Sequence, residues 1–409
     1  MSNSTPGDDA AAKRIRNSLK QRVVPCVDEF WQDVAAVEVP LIAGVAGNRE
    51  ERDVTFLWRA QKPLQGVYLS LNRVTDKERI GLGMLNRLPA SDIWTLTLRL
   101  PASYRGSYTF TEIPSGTSPE QLEQLGTRSP PFPGQADPLN KASGITLRGN
   151  KESVLALDKA PEQSEWASVS NKTRGTLTSS FPVVAGQRRR VRFWLPDVPH
   201  STPLGLLVLP DAESWFDHVG ALAAIETAID SGRIAPLAVL GIDNLDVADR
   251  AAILGGNPEL VKDIADRLLP EARAAYPDRV WAGRERTLLC GQSLGGVTAL
   301  MAAVYAPETF GAIIATSPSM WWTADKDRRP KMFKESDVSW VSEHVLSAPP
   351  KEVKIRLCIG SLEGTMVPHV RQLHQRLMTA GVQSQLAVYT GGHDYAWWRG
   401  ALIDGLAEV

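Results

Sequence analysis

Cysteine is scarce in this chain, and its three residues, Cys26, Cys290 and Cys358, lie far apart. An odd number at these spacings excludes a disulfide framework and a zinc-binding motif. Cys290 and Cys358 fall inside apolar runs typical of buried strands, where a reduced cysteine behaves as a small hydrophobic residue. Because reduced thiols are usual in the cytosol, we expect a cytoplasmic protein.

An excess of charge of either sign is also lacking, because 45 basic residues face 46 acidic ones. A nucleic-acid-binding protein would show a basic excess or a basic stripe, so we expect no nucleic-acid partner. The one basic run, Arg188-Arg189-Arg190, opens an apparent strand and is interpreted as a solvated strand end.

Long hydrophobic runs are missing as well. No stretch approaches the roughly 18 consecutive apolar residues that a membrane span needs. The opening "MSNSTPGDDAAAKRIRNSLKQ" contains no apolar segment of the kind found in signal peptides. We therefore expect neither membrane association nor secretion.

The length of 409 residues favours two or three domains. The hydrophobic pattern also changes along the chain. Early segments such as "DVTFLWRA" and "IWTLTLRL" alternate in the manner of antiparallel strands. Later apolar runs such as "LGLLVLP", "TLLCG" and "IRLCIGS" alternate with helical patterns, which is typical of a mainly parallel sheet with helices on both faces. We predict a disordered N-terminus (1–20), an antiparallel β-sandwich domain (21–150), a linker (151–185) and an α/β domain (186–409).

A strand-to-helix corner lies in "LLCGQSLGGVTALMAAVYAPE" and carries Gly291-Gln292-Ser293-Leu294-Gly295. A serine held on such a strained turn is exposed to substrate, and small residues on either side keep the neighbouring backbone from clashing. The surrounding strand and helix make Ser293 a candidate nucleophile. The domain over 186–409 is accordingly predicted to be an α/β-hydrolase catalytic domain.

Serine hydrolases of this kind place an acid and then a histidine after the serine. His393, in "LAVYTGGHDYAWWRG", follows the last predicted strand on a glycine turn and is the candidate general base. His344 and His374 are interpreted as surface or packing residues, whereas His369 begins a helix that could edge the site. Asp394 adjoins His393 and is poorly placed to orient its ring.

The acid is predicted to follow the strand "KIRLCIG", where "GSLEGTM" offers Glu363. A carboxylate that stabilises the first turn of the next helix is the competing interpretation. Asp325 and Asp327, in "WWTADKDRRP", are the alternatives.

Backbone N–H groups of Leu294 and of Ala212 or Glu213, in "LLVLPDAESW", are predicted to stabilise the oxyanion. Aromatic residues near the same strand ends suggest an aromatic-lined site for a flat substrate, although packing remains the simpler interpretation for any single one. The candidates are Trp215, Trp321, Trp322, Trp397 and Trp398. Arg250 and Arg399 are candidates for binding a negatively charged ligand or for structural ion pairs.

Two segments, "CGQSLGGVTALMAAVYAPETFGAIIATSPSMWW" and "GGHDYAWWRGALIDGL", resemble the catalytic domain of the enterochelin (enterobactin) esterase family. The stretches "SDIWTLTLRLPASYRGSYTF" and "ADPLN" resemble its N-terminal substrate-binding domain. The resemblance implies a two-domain enzyme that hydrolyses the esters of an iron-loaded tricatecholate trilactone siderophore inside the cell. It also implies that Ser293 is the nucleophile, His393 the base and Glu363 the acid, and that Arg250 faces the substrate.

Two departures from the family pattern stand out. Leu294 occupies a position where phenylalanine is common, and the loop around Glu363 matches loosely, so that a Ser-His dyad is an alternative. No metal or cofactor of the enzyme itself is implied, since iron arrives with the substrate. The alternatives are an S-formylglutathione hydrolase-like or mycolyltransferase-like enzyme, a non-catalytic siderophore-binding protein and a carbohydrate esterase. A monomer and a homodimer are both compatible with the sequence.

Overall fold

The chain folds into two units, which we describe from a computed structural model. The structure describes residues 6–127, 129–142, 144–147, 149–167, 172–330 and 332–408. The first unit comprises the residues up to Pro161 together with Thr390–Ala396, and the second comprises Glu162–Tyr389 and Trp397–Val409.

Within its described residues, the first unit contains two four-stranded antiparallel sheets, ordered β1-β2-β5-β4 and β3-β6-β8-β7. The strands are β1 (Leu41–Val45), β2 (Asn48–Arg59), β3 (Leu64–Leu71), β4 (Asn86–Arg87), β5 (Ile93–Pro101), β6 (Arg105–Pro114), β7 (Ile145–Leu147) and β8 (Asn150–Ala156). Aromatic side chains from the two sheets meet between them. The ring centroids of Phe56 and Tyr108 are 5.2 Å apart, and those of Trp58 and Phe110 are 5.0 Å apart. The predicted antiparallel β-sandwich is confirmed.

The N-terminus is helical, so the prediction of disorder over 1–20 is wrong for the residues that the structure describes. Helices α1 (Pro6–Gln21) and α2 (Val27–Ala35) pack on each other, and a short helix α3 (Pro119–Glu123) follows later in the unit. Ala11 and Ile15, four residues apart on one face of α1, are buried against Phe30 and Trp31. This i, i+4 apolar pair inside a run of good helix formers is the signal that the polar composition of the segment concealed.

Within its described residues, the second unit is built on an eight-stranded sheet ordered β18-β17-β16-β15-β13-β14-β12-β9. The sheet strands are β9 (Thr176–Ser180), β12 (Val191–Leu195), β13 (Gly205–Pro210), β14 (Leu237–Ile242), β15 (Thr287–Gln292), β16 (Ala312–Thr316), β17 (Lys354–Gly360) and β18 (Ser384–Tyr389), and β10 (Val183–Val184) and β11 (Gln187–Arg188) form a separate hairpin. The helices are α4 (Ala221–Asp230), α5 (Val247–Ile253), α6 (Pro258–Lys262), α7 (Leu269–Ala274), α8 (Leu294–Tyr305), α9 (Trp340–Ser347), α10 (Met366–Thr379) and α11 (Tyr395–Ala407). Strands β13 to β18 pair in parallel, whereas β12 is antiparallel to both of its neighbours. The predicted α/β-hydrolase architecture is confirmed.

Two domain boundaries differ from the prediction. The segment 151–185, predicted to be a linker, contains most of β8, which pairs with β6, and all of β9, which pairs with β12. The change of unit falls between Pro161 and Glu162. The Pro, Gly and Ser content of this region marks its turns, but the short apolar stretches between the turns still complete sheet edges. Residues 168–171 of the predicted linker lie outside the described residues.

The segment Thr390–Ala396 also departs from the predicted domain limits, because it belongs to the first unit. The N–H of Arg105 donates to the carbonyl oxygen of Thr390 over 2.9 Å, and the N–H of Ser107 donates to the Asp394 carboxylate over 2.5 Å. Strand β6 therefore continues its hydrogen bonding into a segment nearly 300 residues away. Such a distant partner leaves no local sequence pattern.

The arginine run at 188–190 is only partly solvated. Arg189 is 1% exposed, and its guanidinium forms a two-point ion pair with Asp249 at 2.6 and 2.9 Å. Arg188 alone of the three is exposed, and Arg190 is half-buried. The prediction of a solvated strand end is therefore wrong for Arg189, because α5 supplies a buried counter-ion.

The cysteines agree with the sequence-based expectation. Cys290 and Cys358 are buried in β15 and β17, Cys26 is exposed, and all three are free thiols. Burial raises the pKa of Cys358 to about 11 and that of Cys290 further, so both remain protonated at neutral pH. Over the described residues, we find no helix with the length and apolarity needed to span a bilayer.

Buried charge in the second unit provides a test of the fold. Arg192 on β12 is 3% exposed and donates two hydrogen bonds to Asp243 at 2.8 and 3.0 Å. Asp243→Ala should lower the free energy of unfolding by about 3 kcal/mol, because Arg190 and Arg192 both lose this buried partner and keep only the half-exposed Asp217. Urea titration of the second unit measures this loss. Asp230→Ala, which breaks the exposed Arg174 pair, is the control and should leave the midpoint unchanged; equal midpoints for both variants would contradict the expectation.

Candidate active site

Ser293 occupies a strained corner between β15 and α8. Its φ and ψ angles are 57° and −117°, a conformation that residues other than glycine rarely adopt. The N–H of Ser293 donates to the carbonyl oxygen of Thr316 over 3.0 Å, and its own carbonyl accepts the N–H of Ser319 over 3.1 Å. These bonds to the end of β16 hold the corner, and the Ser293 side chain lies 3.3 Å from the Ser319 hydroxyl. This geometry is that of a nucleophile elbow.

The glycines around Ser293 differ in importance. A Cβ on Gly291 would overlap the carbonyl oxygen of Gly295, so glycine is required there. A Cβ on Gly295 would meet its nearest atom only at 3.7 Å, which is ordinary contact. Gly296 is tighter, with the Thr316 carbonyl oxygen at 3.0 Å from the Cβ position. The elbow thus depends on Gly291 and Gly296 rather than on the predicted pair Gly291 and Gly295.

The predicted oxyanion loop is organised by Asp211, which follows β13 with φ 58° and is buried. Its carboxylate accepts hydrogen bonds from Arg250 at 2.6 and 2.8 Å, from Gln292 at 2.6 Å and from Asn244 at 2.6 Å. The carbonyl oxygen of Asp211 accepts the N–H of Trp215 over 3.1 Å. The carboxylate therefore joins the loop that carries Ala212 to the strand that ends at the nucleophile.

The Asp211 network includes Arg250. The resemblance to the family implied that this side chain faces the substrate, and the structure shows that it forms a two-point ion pair with Asp211. Its side chain is 25% exposed. Its partner Asp211 follows β13 and lies 39 residues earlier in the chain.

Glu213, also in the predicted oxyanion loop, begins a π-helical turn at Glu213–Val219. Its carboxylate accepts hydrogen bonds from the side chain and the backbone N–H of Asn244 at 2.7 and 3.1 Å. Burial, followed by the nearby charge of Asp211, raises the pKa of Glu213. The loop is thus fixed on both sides of Ala212.

Glu363 is 2% exposed and lies just after β17. Its Oε1 atom accepts hydrogen bonds from the Ser317 hydroxyl over 2.5 Å and from the N–H of Gly360 over 2.9 Å. The Ser317 oxygen in turn accepts the indole N–H of Trp398 over 2.9 Å. Both bonds run back to the ends of β16 and β17 and hold the carboxylate there.

The alternative acids lie on the surface. Asp325 and Asp327 are both exposed, and Asp325 caps a short 3-10 helix and pairs with Arg328 at 3.3 Å. Solvent would screen either carboxylate, so neither resembles the buried acid that orients a catalytic histidine.

His393 belongs to the first unit and is half-buried, whereas Ser293 and Glu363 belong to the second. The N–H of His393 donates to the side-chain oxygen of Asn72 over 2.8 Å. A Cβ on Gly392 would lie 2.6 Å from the carbonyl oxygen of Asn72 and 2.9 Å from the Cβ of Arg73. The glycine before His393 is therefore required for its turn to pack against Asn72 and Arg73.

The neighbouring carboxylate has a backbone role. Asp394 is buried and accepts the N–H groups of Ser107 and Ala396 at 2.5 and 2.8 Å. It anchors the His393 segment to β6 and begins α11. This agrees with the expectation that Asp394 does not orient the His393 ring.

The other histidines after Ser293 have packing roles. His344 stacks on Trp340 with centroids 4.5 Å apart, and His374 bonds to the Ser384 hydroxyl over 2.9 Å. Burial lowers the pKa of both. His369 is buried and bonds to the carbonyl oxygen of Lys334 over 2.9 Å, so it does not edge an open site.

Four of the five tryptophans predicted to line the site are buried. Trp215, Trp322, Trp397 and Trp398 are between 1% and 5% exposed, and only Trp321 among the five is half-buried. Their partners are internal: the Trp215 indole donates to Gln292 over 3.0 Å, and Trp397 stacks on Tyr389 at 4.8 Å. A large indole ring can pack in the core or line a binding site. Clustering of tryptophans in the sequence does not distinguish these two arrangements.

Arg399 is a structural residue as well. It is 6% exposed, donates to the side-chain oxygen of Gln163 over 2.7 Å and lies over the Trp166 ring at 5.5 Å. Of the two interpretations that the sequence left open, the structural pair is the one that this burial supports.

Two family models match the chain. The model described as "Enterochelin esterase, N-terminal" matches residues 53–166, and the model described as "Putative esterase" matches residues 183–409. One match lies mainly in the first unit and the other mainly in the second, and the "Putative esterase" match spans more than half of the chain.

Similar proteins and structures agree with these matches. The chain is 58% identical to Iron(III) salmochelin esterase of Escherichia coli O6:H1, over 97% of both chains. It is 28% identical to Iron(III) enterobactin esterase of E. coli K12, over 88% of this chain and 92% of that protein. The crystal structure of the enterobactin esterase from Shigella flexneri in the presence of enterobactin superposes with a TM-score of 0.77 at 25% identity, covering 94% of this chain and 98% of that one.

The sequence motifs, the elbow at Ser293, the two-unit fold and these matches agree with one another. The chain belongs to the enterochelin (enterobactin) esterase family of carboxylic ester hydrolases.

Proposed function

We propose that this chain is a serine esterase that hydrolyses the trilactone ester bonds of ferric catecholate siderophores, such as ferric enterobactin, and so releases iron in the cytoplasm. The observation that carries the proposal is the elbow at Ser293, with φ 57°, in a chain 58% identical to Iron(III) salmochelin esterase over 97% of both lengths. Iron is part of the substrate in this reaction, and ester hydrolysis requires no cofactor.

Ser293 acts as the nucleophile in two steps. Its Oγ atom attacks a lactone carbonyl while His393 takes the hydroxyl proton, and His393 then returns that proton to the leaving alkoxide. The ring opens and leaves an acyl group on Ser293. A water molecule, deprotonated by His393, cleaves this acyl-enzyme and restores the serine.

The oxyanion of each tetrahedral intermediate is stabilised by backbone donors. Leu294 is the first residue of α8, so its N–H has no acceptor within the helix. The second donor is the N–H of Ala212 or Glu213. The Asp211 network supports this assignment, because a loop held by Arg250, Gln292 and Asn244 is ordered before substrate arrives.

Glu363 is the acid that orients His393 and stabilises its protonated form. Its burial and its hydrogen bonds to Ser317 and Gly360 support this role, because they fix the carboxylate at the end of β17. Trp321 is the candidate substrate contact among the five predicted tryptophans, and its half-buried side chain supports this role.

Ser293→Ala should lower kcat by about 10³-fold or more, because the acyl-enzyme cannot form. The measurement is chromatography of linear trimer, dimer and monomer released from ferric enterobactin. Wild-type protein should accumulate all three, and the variant should leave the cyclic substrate intact. Product formation at the wild-type rate by the variant would exclude Ser293 as the nucleophile.

Glu363→Gln should reduce kcat by more than about tenfold, since a neutral amide stabilises an imidazolium poorly. Asp325→Asn, at the exposed alternative acid, is the matched control and should retain wild-type kcat. The same chromatographic assay compares them. A loss below tenfold for Glu363→Gln would favour a Ser-His dyad, and a large loss for Asp325→Asn would move the acid to that loop.

Gly392→Ala should lower kcat by about tenfold to a hundredfold, because its Cβ would displace the His393 turn from Asn72 and Arg73. Gly44→Ala on β1 is the control, since a Cβ there meets nothing within 4 Å. Steady-state kinetics and circular dichroism together separate loss of catalysis from loss of fold. Unchanged kcat in a folded Gly392→Ala protein would show that the turn does not position the base.

A further inference from the structure

A large cavity lies within the first unit and has His393 in its wall. Its volume is about 820 Å³, which is in the range of sites for sizeable ligands. The other walls come from the end of β3 and the turn after it, the 3-10 helix Lys77–Gly83, the region of α3 and strand β6. A ligand in this cavity would be next to the candidate base.

Arg73 lines this cavity, is half-buried and has a positive φ of 60°. Among the described residues, its guanidinium has no hydrogen-bond or ion-pair partner. Arg73 packs closely against the turn that carries His393, because a Cβ added to Gly392 would lie only 2.9 Å from the Cβ of Arg73. An arginine keeps its charge at every physiological pH and presents five N–H donors, so one without a partner in a cavity is suited to an anion.

Among the described residues, none of the acidic side chains of this cavity forms an ion pair with Arg73. Asp76 lies 3.5 Å from Arg79, and Glu123 is exposed to water. Glu152 and Lys77 already have interaction partners. Among the described residues of this cavity, Arg73 is therefore a cation whose guanidinium has no protein partner.

We infer that Arg73 determines specificity for the iron-loaded substrate by binding its catecholate oxygens in the cavity beside His393. This inference rests on the proposed function. A ferric tricatecholate is anionic, because three doubly deprotonated catecholates outweigh the charge of Fe³⁺. The iron-free ligand keeps its catechol protons at neutral pH and is uncharged. Arg73 thus distinguishes the two forms by charge.

The test compares Arg73→Ala and Arg73→Lys with wild type, using ferric and iron-free enterobactin. Arg73→Ala should raise KM for the ferric substrate by about tenfold or more, as expected for loss of a hydrogen-bonded charge contact, and leave the iron-free KM unchanged. Arg73→Lys should recover part of the loss, and added salt should raise the ferric KM more in wild type than in Arg73→Ala. Arg99→Ala is the control and should match wild type. It removes the same charge from β5, where Arg99 forms an exposed pair with Asp53 of β2.

Three outcomes would overturn the inference: an unchanged ferric KM in Arg73→Ala, an equal loss with both substrates, which indicates a structural role, or the same effect in Arg99→Ala. If wild type hydrolyses neither substrate, the proposed function fails separately. Quenching of tryptophan fluorescence by ferric enterobactin, compared between Ser293→Ala and Ser293→Ala/Arg73→Ala, then still measures the anion contact. Equal affinities in that comparison would reject it.

Discussion

The hydrogen bonds to the Asp211 carboxylate are the interaction on which the region around Ser293 depends. It accepts hydrogen bonds from Arg250, Gln292 and Asn244, which come from three different strand ends and helices. Since Gln292 is the last residue of β15, the same carboxylate fixes both the oxyanion loop and the approach to Ser293. A buried carboxylate with this many donors is well compensated, whereas any one donor left unpaired would be costly. Ser293 and the predicted oxyanion loop are thus positioned by one carboxylate.

The parts of the fold that the sequence predicted are those with a local cause. Apolar runs predicted the strands of the parallel sheet, and period-two alternation predicted the sandwich. The elbow was predictable because its strained corner requires glycine at Gly291, which is visible in the motif. Glu363 follows a strand, as the sequence predicted, and is buried, while its role as the acid stays a prediction. In each case a short stretch carries the whole signal.

The parts that the sequence did not predict depend on distant partners. Arg189 and Arg250 were assigned without their counter-ions, Asp249 and Asp211, which lie 60 and 39 residues away. Trp215 and Trp398 were assigned to a ligand because an indole that packs inside and one that lines a site have the same local pattern. Helix α1 was missed because its apolar face is only a few residues wide. Which residues pair across long distances in the sequence depends on how the chain packs, and a single sequence does not show this packing.

The segment Thr390–Ala396 has a consequence for how the protein is made. The chain passes between the units after Pro161, after Tyr389 and after Ala396, so neither unit is one continuous stretch. On the ribosome, β6 is synthesised long before the residues that bond to its Arg105 and Ser107. The first unit therefore reaches its final state only after Thr390–Ala396 has been synthesised. Vectorial synthesis usually completes N-terminal domains first, but here the turn that carries His393 is added more than 200 residues after Pro161.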